Sequence, residues 1–248
     1  MFPRFLSAIL TLQAASCAQQ VQTPCQPLTH AEAPFIVCKF DAETDDIRLF
    51  LNGADGERYA QFDALSDALA DSGERLVFAM NAGMYLPDRR PVGLLIERGE
   101  TLAPLNLAEG NSNFTLKPNG VFWIDETRAG VEESTTFQAS GRTPNFATQS
   151  GPMLVIDGAL HPAFREDSSS RHRRNGVGVA RDGRTVHFAI SEVPVNFHTF
   201  ATLFRDRLET PNALYFDGRI SQVLASNLSR SERGADMGPI VGVVETED

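Results

Sequence analysis

Four Asp-Gly dipeptides constrain the fold of this chain more than any other sequence feature. They begin at Asp55, Asp157, Asp182 and Asp217, and residues that favour strands flank each of them. Asp-Gly between two such runs is a strong hairpin signal, because both residues tolerate the positive φ angles of a tight turn. The dipeptides therefore predict antiparallel hairpins. At Asp217, which follows the apolar run 214–216, a turn is the simplest local interpretation.

Hydrophobic periodicity predicts two helices among many short strands. One helix is expected over 61–72, and a second is expected to begin after Asn196, a residue type that caps helices. The runs 35–40 and 47–51 are predicted to pair with each other across a polar connection. Further strands are predicted at 75–80, 92–97, 119–124, 132–138, 152–157, 176–181, 185–191 and 212–216.

The excess of strands over helices sets the fold class. A chain of 248 residues that is 42% hydrophobic can bury a sizeable core in one domain. We therefore predict a single strand-rich α+β domain over 26–248, with a mixed or antiparallel sheet, tight Asp-Gly hairpins and a few helices.

The N-terminus has the layout of an export signal. Arg4 precedes a short apolar stretch that is followed by small residues and Cys17, so 1–17 is predicted to be a signal peptide or a lipoprotein leader. The mature protein is then expected to be periplasmic or associated with the cell envelope, and to touch a membrane only through a possible lipid on Cys17. In that oxidising compartment, Cys25 and Cys38 are expected to form a disulfide.

Charge and motif content narrow the function classes. The net charge of −10 disfavours binding to nucleic acid or anionic membranes. The chain contains no HExxH, no CxxC, no GxSxG and no P-loop sequence. We predict no cofactor and assign no metal site, although a metal held by carboxylates alone stays open at this stage.

Short polar signatures follow several of the predicted strands. Asn81 could be a turn residue or a presented amide, and Gln149 before Gly151-Pro152 could bond a sugar hydroxyl or a phosphate oxygen. The run 168–176 places three Arg and one His within four positions of an acidic chain. Arg guanidinium groups suit phosphate or carboxylate, so this run is either an anion-binding loop or a solvated loop.

Six motifs, in order, carry a family resemblance. They are NAGMY, LKPNGVFWI, ATQSGPMLVIDG, RRNGVGV, FAISEVPVNF and NALYFDGRIS. Over 75–224 the chain resembles the phosphodiester glycosidase domain family, and most closely its bacterial branch related to the animal uncovering enzyme. The resemblance implies hydrolysis of the glycosidic bond of a sugar 1-phosphodiester or a related envelope glycan, acting on a small-molecule or oligosaccharide substrate.

The resemblance also implies roles for the matching residues. Asp217 would be nucleophile or general base, with Asn81 in the catalytic set and Glu192 as a candidate partner carboxylate. Arg219 stands where the animal pattern has a second Gly. The implied substrate-binding residues are Gln149, Gly151, Arg173, Arg174, Asn212, Gly218 and Ser221.

Three other functions remain open on the sequence alone. A non-catalytic envelope module could bind a glycan or phosphoglycan through the same Arg and amide groups. A metal-dependent phosphodiesterase could be built on Asp217, Glu192 and Asp157. The third is a structural envelope protein whose chemistry has decayed.

Overall fold

The computed structural model describes residues 23–247. The predicted leader 1–17 and the predicted lipidation site Cys17 lie outside these residues. None of the helices formed by the described part of the chain combines the length and apolar character needed to cross a bilayer.

Strands dominate the described chain, and three α-helices accompany them. The helices are α1 (Phe62–Ala70), α2 (Ser134–Ser140) and α3 (Phe197–Thr202). The strands are β1 (Cys25–His30), β2 (Ala33–Asp41), β3 (Asp46–Phe50), β4 (Glu74–Asn81), β5 (Leu95–Glu97), β6 (Glu100–Ala103), β7 (Gly120–Ile124), β8 (Ala129–Glu133), β9 (Phe146–Ser150), β10 (Met153–Ile156), β11 (Ala159–Leu160), β12 (Asn175–Val179), β13 (Thr185–Ser191), β14 (Asn212–Asp217), β15 (Val223–Ala225), β16 (Arg230–Ser231) and β17 (Ile240–Thr246).

The strands form three antiparallel sheets. The large sheet has the order β1-β2-β13-β12-β14-β10-β11, and the two smaller sheets have the orders β16-β15-β4-β17-β3 and β6-β5-β9-β7-β8. Every pairing between these strands is antiparallel. The prediction of a strand-rich α+β protein is confirmed.

One aromatic core joins the three sheets. Phe188 of the large sheet lies 4.9 Å from Phe78 and 5.9 Å from Phe122, measured between ring centroids, and these two residues come from the two smaller sheets. Between ring centroids, Phe40 lies 5.2 Å from Phe78, and Phe216 lies 6.4 Å from Phe122. All five rings are buried. Their packing fixes the three sheets relative to one another, and with them the strand ends that lie next to this core.

The two predicted helices are present. Helix α1 buries Phe62, Leu65 and Leu69. Helix α3 begins after Asn196, whose side chain accepts a hydrogen bond from the Thr199 amide, and it continues as a π-helical turn, Leu203–Arg207. Its apolar face packs on the large sheet, where Phe200 contacts Phe35 at 6.2 Å.

Two predictions about strands were wrong. The run 132–138 is not a strand, because β8 ends at Glu133 and the Glu133 carboxylate caps α2 by accepting from the Thr135 and Thr136 amides. The runs 35–40 and 47–51 do not pair, because β2 has β1 and β13 on its two edges. Strand β3 pairs instead with β17, a strand that the sequence patterns did not predict.

The Asp-Gly dipeptides have different structures. Asp157 and Asp182 lie in the predicted hairpins β10–β11 and β12–β13. Asp55 lies in a turn beside an isolated bridge between Asn52 and Arg58. A hairpin at Asp217 was a wrong prediction, because β14 belongs to the large sheet and the next strand, β15, belongs to a smaller one.

Cys25 and Cys38 face each other across β1 and β2 and are joined by a disulfide, with an S–S distance of 2.08 Å.

Candidate active site

Two buried asparagines join the large sheet to a smaller one. Asn81 ends β4 and Asn175 begins β12, and both are fully buried. The Asn81 Nδ2 donates to Asn175 Oδ1 at 3.3 Å, and the Asn175 Nδ2 donates to Asn81 Oδ1 at 3.0 Å and to the Asn81 carbonyl at 2.8 Å. This reciprocal amide pair fixes the relative positions of two strand ends that are 94 residues apart in the sequence.

The amide pair also holds the loop 217–222. The Asp217 amide donates to Asn175 Oδ1 at 3.2 Å, and the Gln222 amide donates to Asn81 Oδ1 at 3.0 Å. Between these anchors, the Ser221 hydroxyl donates to the Asp217 carbonyl at 3.0 Å. Both ends of the loop that carries Asp217 are therefore fixed to the same buried pair.

The Asp217 carboxylate has one oxygen, Oδ1, that accepts two hydrogen bonds and one, Oδ2, for which the described residues supply none. Its Oδ1 accepts from the Gly218 and Arg219 amides at 2.6 and 2.9 Å. Within residues 23–247, no hydrogen bond of ordinary length and angle reaches Oδ2. Burial raises the pKa of Asp217, and the amides that follow it and the Arg219 charge oppose that rise. This is an oriented carboxylate with increased basicity.

Arg174 places a buried positive charge beside this turn. Its side chain is fully buried, and it donates to the Val195 carbonyl at 2.9 Å and to the Ser170 carbonyl at 3.2 Å. Its Cζ lies 3.6 Å from the centre of the Phe197 ring and 5.4 Å from that of Tyr215. Among the described residues no carboxylate pairs with Arg174 and its Nη1 has no hydrogen-bond partner. Burial lowers its pKa.

Gly218 allows the turn to approach Tyr215. A Cβ atom added at Gly218 would lie 2.0 Å from the Tyr215 hydroxyl oxygen, so no larger residue fits without movement. Tyr215 is buried, and its pKa is raised by burial and by the Asp217 charge, against the opposing charge of Arg174. The Tyr215 side chain therefore has Arg174 and Asp217 as its charged neighbours.

Four charged residues next to the turn form a saturated ion cluster. Arg173 donates to both carboxylate oxygens of Glu232, at 2.9 and 2.7 Å. Arg230 donates to both oxygens of Glu192, at 2.8 and 2.9 Å, and it also pairs with Glu232. Arg173 and Glu192, two of the predicted site residues, are therefore already bound by charged partners within the protein.

Tyr85 and Arg219 lie at the solvent side of the turn. Tyr85 is half-buried and donates from its hydroxyl to the Asp236 carbonyl at 2.8 Å. Burial, and after it the Asp217 charge, raises the pKa of Tyr85 to about 12, while the Arg89 and Arg219 charges oppose the rise. Arg219 is exposed.

Three predicted site residues contact partners other than Asp217, although Ser150, which lies between two of them, donates from its hydroxyl to the Phe216 carbonyl at 2.9 Å. Gln149 is buried on β9, where its amide group binds the Leu94 and Asn106 amides, the Asn106 carbonyl and the Ser134 hydroxyl. Gly151 packs against Asn119 and the Phe114 carbonyl, and a Cβ there would come within 2.7 Å of the Asn119 Cβ. Asn212 binds the Asp157 amide at 2.9 Å, at the opposite end of β14 from Asp217.

Five contributors to the site were not singled out from the sequence. Asn175, Tyr215 and Tyr85 stand inside the quoted motifs RRNGVGV, NALYFDGRIS and NAGMY, so the motifs contain the signal even though their roles depend on distant contacts. Gln222 and Glu232 follow those motifs and carry no pattern that would have found them.

Two open cavities lie elsewhere on the molecule, with volumes of about 420 and 260 Å³. Both are lined by Thr44, Asp45 and Asp46, and the larger also by Glu74, at the opposite end of β4 from Asn81. Neither includes a residue of the Asp217 turn. Across the described chain, no three His, Cys, Asp or Glu side chains are grouped so as to hold a metal ion.

Known proteins resemble this chain in sequence and in fold. A family model described as phosphodiester glycosidase matches residues 74–241. A protein of Escherichia coli strain K12, called uncharacterized protein YigE, is 35% identical over 181 residues, which span 73% of this chain and 70% of that protein.

Two solved structures share the fold. The catalytic domain of zebrafish N-acetylglucosamine-1-phosphodiester α-N-acetylglucosaminidase, auto-inhibited by its pro-peptide, matches with a TM-score of 0.60 and 13% identity, over 93% of this chain and 86% of that one. A hypothetical protein from Synechocystis matches with a TM-score of 0.55 and 13% identity, over 89% of this chain and 61% of that one.

Proposed function

This chain belongs to the phosphodiester glycosidase family, and from that premise we propose that it hydrolyses the bond between the anomeric carbon of a sugar and a phosphodiester oxygen. The family supports a hydrolase of glycosidase type. This proposal rests on the Asp217 carboxylate, which is fixed through Oδ1 and receives no hydrogen bond at Oδ2 from the described residues, at the point where β4, β12 and β14 meet.

The reaction needs little acid catalysis. When the bond from the anomeric carbon to oxygen breaks, its electron pair leaves with a phosphate oxygen, which is stable without a proton at neutral pH. Water supplies the new hydroxyl group of the sugar, and Asp217 accepts the proton that this water loses. The products are a free sugar and a phosphomonoester. Because burial raises the pKa of Asp217, its carboxylate is a better base than an exposed one.

Glu192 is not a free second carboxylate in this scheme. Both of its oxygens accept from Arg230, and Arg173 lies 3.5 Å away. When a single carboxylate acts as a base, the water that it activates attacks the anomeric carbon from the face opposite the leaving phosphate. We therefore propose that the anomeric configuration inverts. Retention of configuration would instead indicate that Asp217 attacks the anomeric carbon directly.

Asn81 and Asn175 position the catalytic loop rather than touch the substrate in this proposal. Both are fully buried, and their amide groups bind each other and the loop 217–222. Arg174, also buried, contributes its positive charge beside Tyr215. Ser221 and Gly218 fix the shape of the loop, through the bond to the Asp217 carbonyl and the close approach to Tyr215.

The metal-dependent phosphodiesterase is the weaker alternative. It requires Asp157 and Glu192 to meet Asp217, but Asp157 lies beside Asn212 at the far end of β14. The five steps from Asn212 to Asp217 along the strand, at about 3.3 Å each, separate the two ends by roughly 17 Å. A non-catalytic glycan-binding module would use the same turn without turnover, so it is tested by the same experiment.

We also propose that the protein acts outside the cytoplasm. The disulfide between Cys25 and Cys38 supports this, since such bonds persist in oxidising compartments. The proposed leader 1–17 and a lipid on Cys17 would place the enzyme in the periplasm or at the cell envelope. In that location, we propose that the substrate is a phosphoglycan of the cell envelope.

Product analysis tests the proposed function. Purified mature protein would be incubated, with and without a chelator, with sugar 1-phosphodiesters that include UDP-N-acetylglucosamine and envelope phosphoglycan fragments. Mass spectrometry should detect free sugar and phosphomonoester in both arms, and proton NMR during turnover should show the inverted anomer first. Binding without product would support the glycan-binding module. Activity that a chelator abolishes and a divalent cation restores would support the phosphodiesterase.

A further inference from the structure

Most arginines near Asp217 are already neutralised by carboxylates or closed to solvent. Arg173 and Arg230 are bound by Glu192 and Glu232. Arg174 is fully buried. Arg89 lies 3.8 Å from the Asp236 carboxylate. The ion-paired groups would have to exchange a carboxylate for an incoming anion, and Arg174 is closed to solvent.

Arg219 differs from all of them. Its side chain is exposed, and within the part of the chain that the structure describes it makes no ion pair and no side-chain hydrogen bond. Its backbone amide donates to Asp217 Oδ1 at 2.9 Å, which fixes the residue two positions after the candidate base. Its charge opposes the rise in the pKa of both Asp217 and Tyr85, so the guanidinium group lies within electrostatic reach of both side chains.

This position suits an anion. The chain carries a net charge of −10, so a phosphodiester approaching it needs a local cation to offset the repulsion. A guanidinium group offers a planar set of donors that can bind two phosphate oxygens at once. Arg171 is also exposed, but no bond ties it to Asp217.

We propose that Arg219 binds the phosphate group of the substrate and thereby selects sugars whose leaving group is a phosphodiester. This deepens the proposed function and rests on it. In this proposal one turn contacts both reacting parts of the substrate. The Asp217 carboxylate is directed at the anomeric carbon, and the Arg219 side chain is directed at the phosphorus, two bonds away.

Matched substrates test the selection. One sugar would be offered as its 1-phosphodiester and as its 4-nitrophenyl glycoside, which has a good but uncharged leaving group. Replacing Arg219 by Gln should lower kcat/KM for the phosphodiester about 10- to 100-fold, mainly through KM, and leave the neutral glycoside unchanged. Arg219→Lys should lose less. Arg181→Gln is the control, because Arg181 is exposed at the far end of β12. Equal loss on both substrates, or no loss, would overturn the proposal.

A binding measurement separates this inference from the proposed function. Inorganic phosphate would be titrated into the wild-type, Arg219→Gln and Arg181→Gln proteins and followed by NMR. We expect saturable binding that weakens about tenfold or more only in Arg219→Gln. If such binding is found without turnover of any substrate, the proposed hydrolysis fails and the Arg219 site stands. If turnover is found but the wild type does not bind phosphate, or binds it as Arg219→Gln does, the Arg219 site fails.

Discussion

Two turns with the same Asp-Gly sequence show what distinguishes the candidate site. In each, Asp Oδ1 accepts two backbone amides: those of Arg184 and Thr185 at 2.8 and 2.9 Å for Asp182, and those of Gly218 and Arg219 at 2.6 and 2.9 Å for Asp217. Asp182 Oδ2 also accepts from the Thr185 hydroxyl at 2.7 Å. For Asp217 Oδ2, the described residues supply no such partner.

The surroundings of the two carboxylates shift their pKa values in opposite directions. At exposed Asp182, burial is the largest single influence and raises the pKa, but the amide and hydroxyl hydrogen bonds and the Arg184 charge together outweigh it and lower the pKa. At Asp217, burial outweighs the amides and raises the pKa. The dipeptide alone builds a turn, and burial by the neighbouring strands raises the pKa of one of the two carboxylates. The proposed function assigns the base to the incompletely satisfied carboxylate, Asp217, and leaves the saturated one, Asp182, a structural role.

The largest expected difference follows from replacing each Asp by Asn. Asn keeps the Oδ1 acceptor of the turn and removes the charge. Asp217→Asn should therefore lower turnover about 1000-fold, the typical contribution of a general base. Asp182→Asn should leave turnover unchanged. Steady-state kinetics on the best phosphodiester of the panel, with circular dichroism to confirm folding, measures both. Comparable activities of the two variants would make Asp217 only a turn residue.

Asn175→Ala should disturb the Asp217 turn and leave the Asp182 turn unchanged. It leaves the Asp217 amide and the Asn81 amide group without a partner, which should cost about 1–3 kcal/mol in the free energy of unfolding. The displaced carboxylate should reduce turnover about 10- to 100-fold. Asn212→Ala is the control, because it removes the bond to the Asp157 amide at the far end of β14. If Asn212→Ala reduces turnover as much, Asn212 touches the substrate.

Replacing Gly183 or Gly218 by Ala should destabilise the protein, for a different reason at each position. Gly183 has a φ of +69°, so Ala is strained there whatever the space. At Gly218 the obstacle is the Tyr215 hydroxyl, 2.0 Å from an added Cβ, and overpacking should cost about 1–3 kcal/mol. Tyr215→Phe removes that hydroxyl, so it should rescue Gly218→Ala and not Gly183→Ala in chemical denaturation. Failure to rescue Gly218→Ala would show that the contact does not set the loop.

The pH dependence of stability should have opposite signs at the two turns. Because the pKa of Asp217 is raised on folding, its contribution is fully present below the ordinary value of 3.8 and is lost as the pH rises through the folded pKa. Asp217→Asn should therefore stabilise the protein at pH 7 more than at pH 3. The lowered pKa of Asp182 makes its contribution present above 3.8 and lost in acid, so Asp182→Asn should destabilise at pH 7. Urea titrations at the two pH values would reveal a common sign if the comparison is wrong.

The smallest effect is expected at Glu192. Its side chain and those of its arginine partners are 25–30% exposed, so Glu192→Gln should change the free energy of unfolding by less than about 1 kcal/mol and leave turnover near that of the wild type. A loss of turnover like that of Asp217→Asn would mean that two carboxylates share the chemistry.

Local features of the structure could be predicted from the sequence. The helix that starts after Asn196 follows from its cap and from the apolar spacing of Phe200 and Phe204, and the hairpins at Asp157 and Asp182 follow from the dipeptide. These elements depend on residues a few positions apart, whose conformational preferences act directly on the backbone.

The features that could not be predicted depend on contacts between residues that are far apart in the sequence. Strand β3 pairs with β17 almost 200 residues later, and no short pattern identifies such a partner. The same holds in the site, where Asn81 depends on Asn175 and Glu192 is saturated by Arg230. The motifs identified the Asp217 loop, but they could not tell residues that support it from residues that face a substrate.

Turnover in ¹⁸O-labelled water distinguishes cleavage of the glycosidic bond from cleavage at phosphorus. The wild-type protein should place the label on the anomeric carbon of the released sugar and none on the phosphomonoester, and Asp217→Asn should form almost no product. Label on the phosphate would show that a phosphorus–oxygen bond breaks, and it would contradict glycosidic hydrolysis at the Asp217 turn.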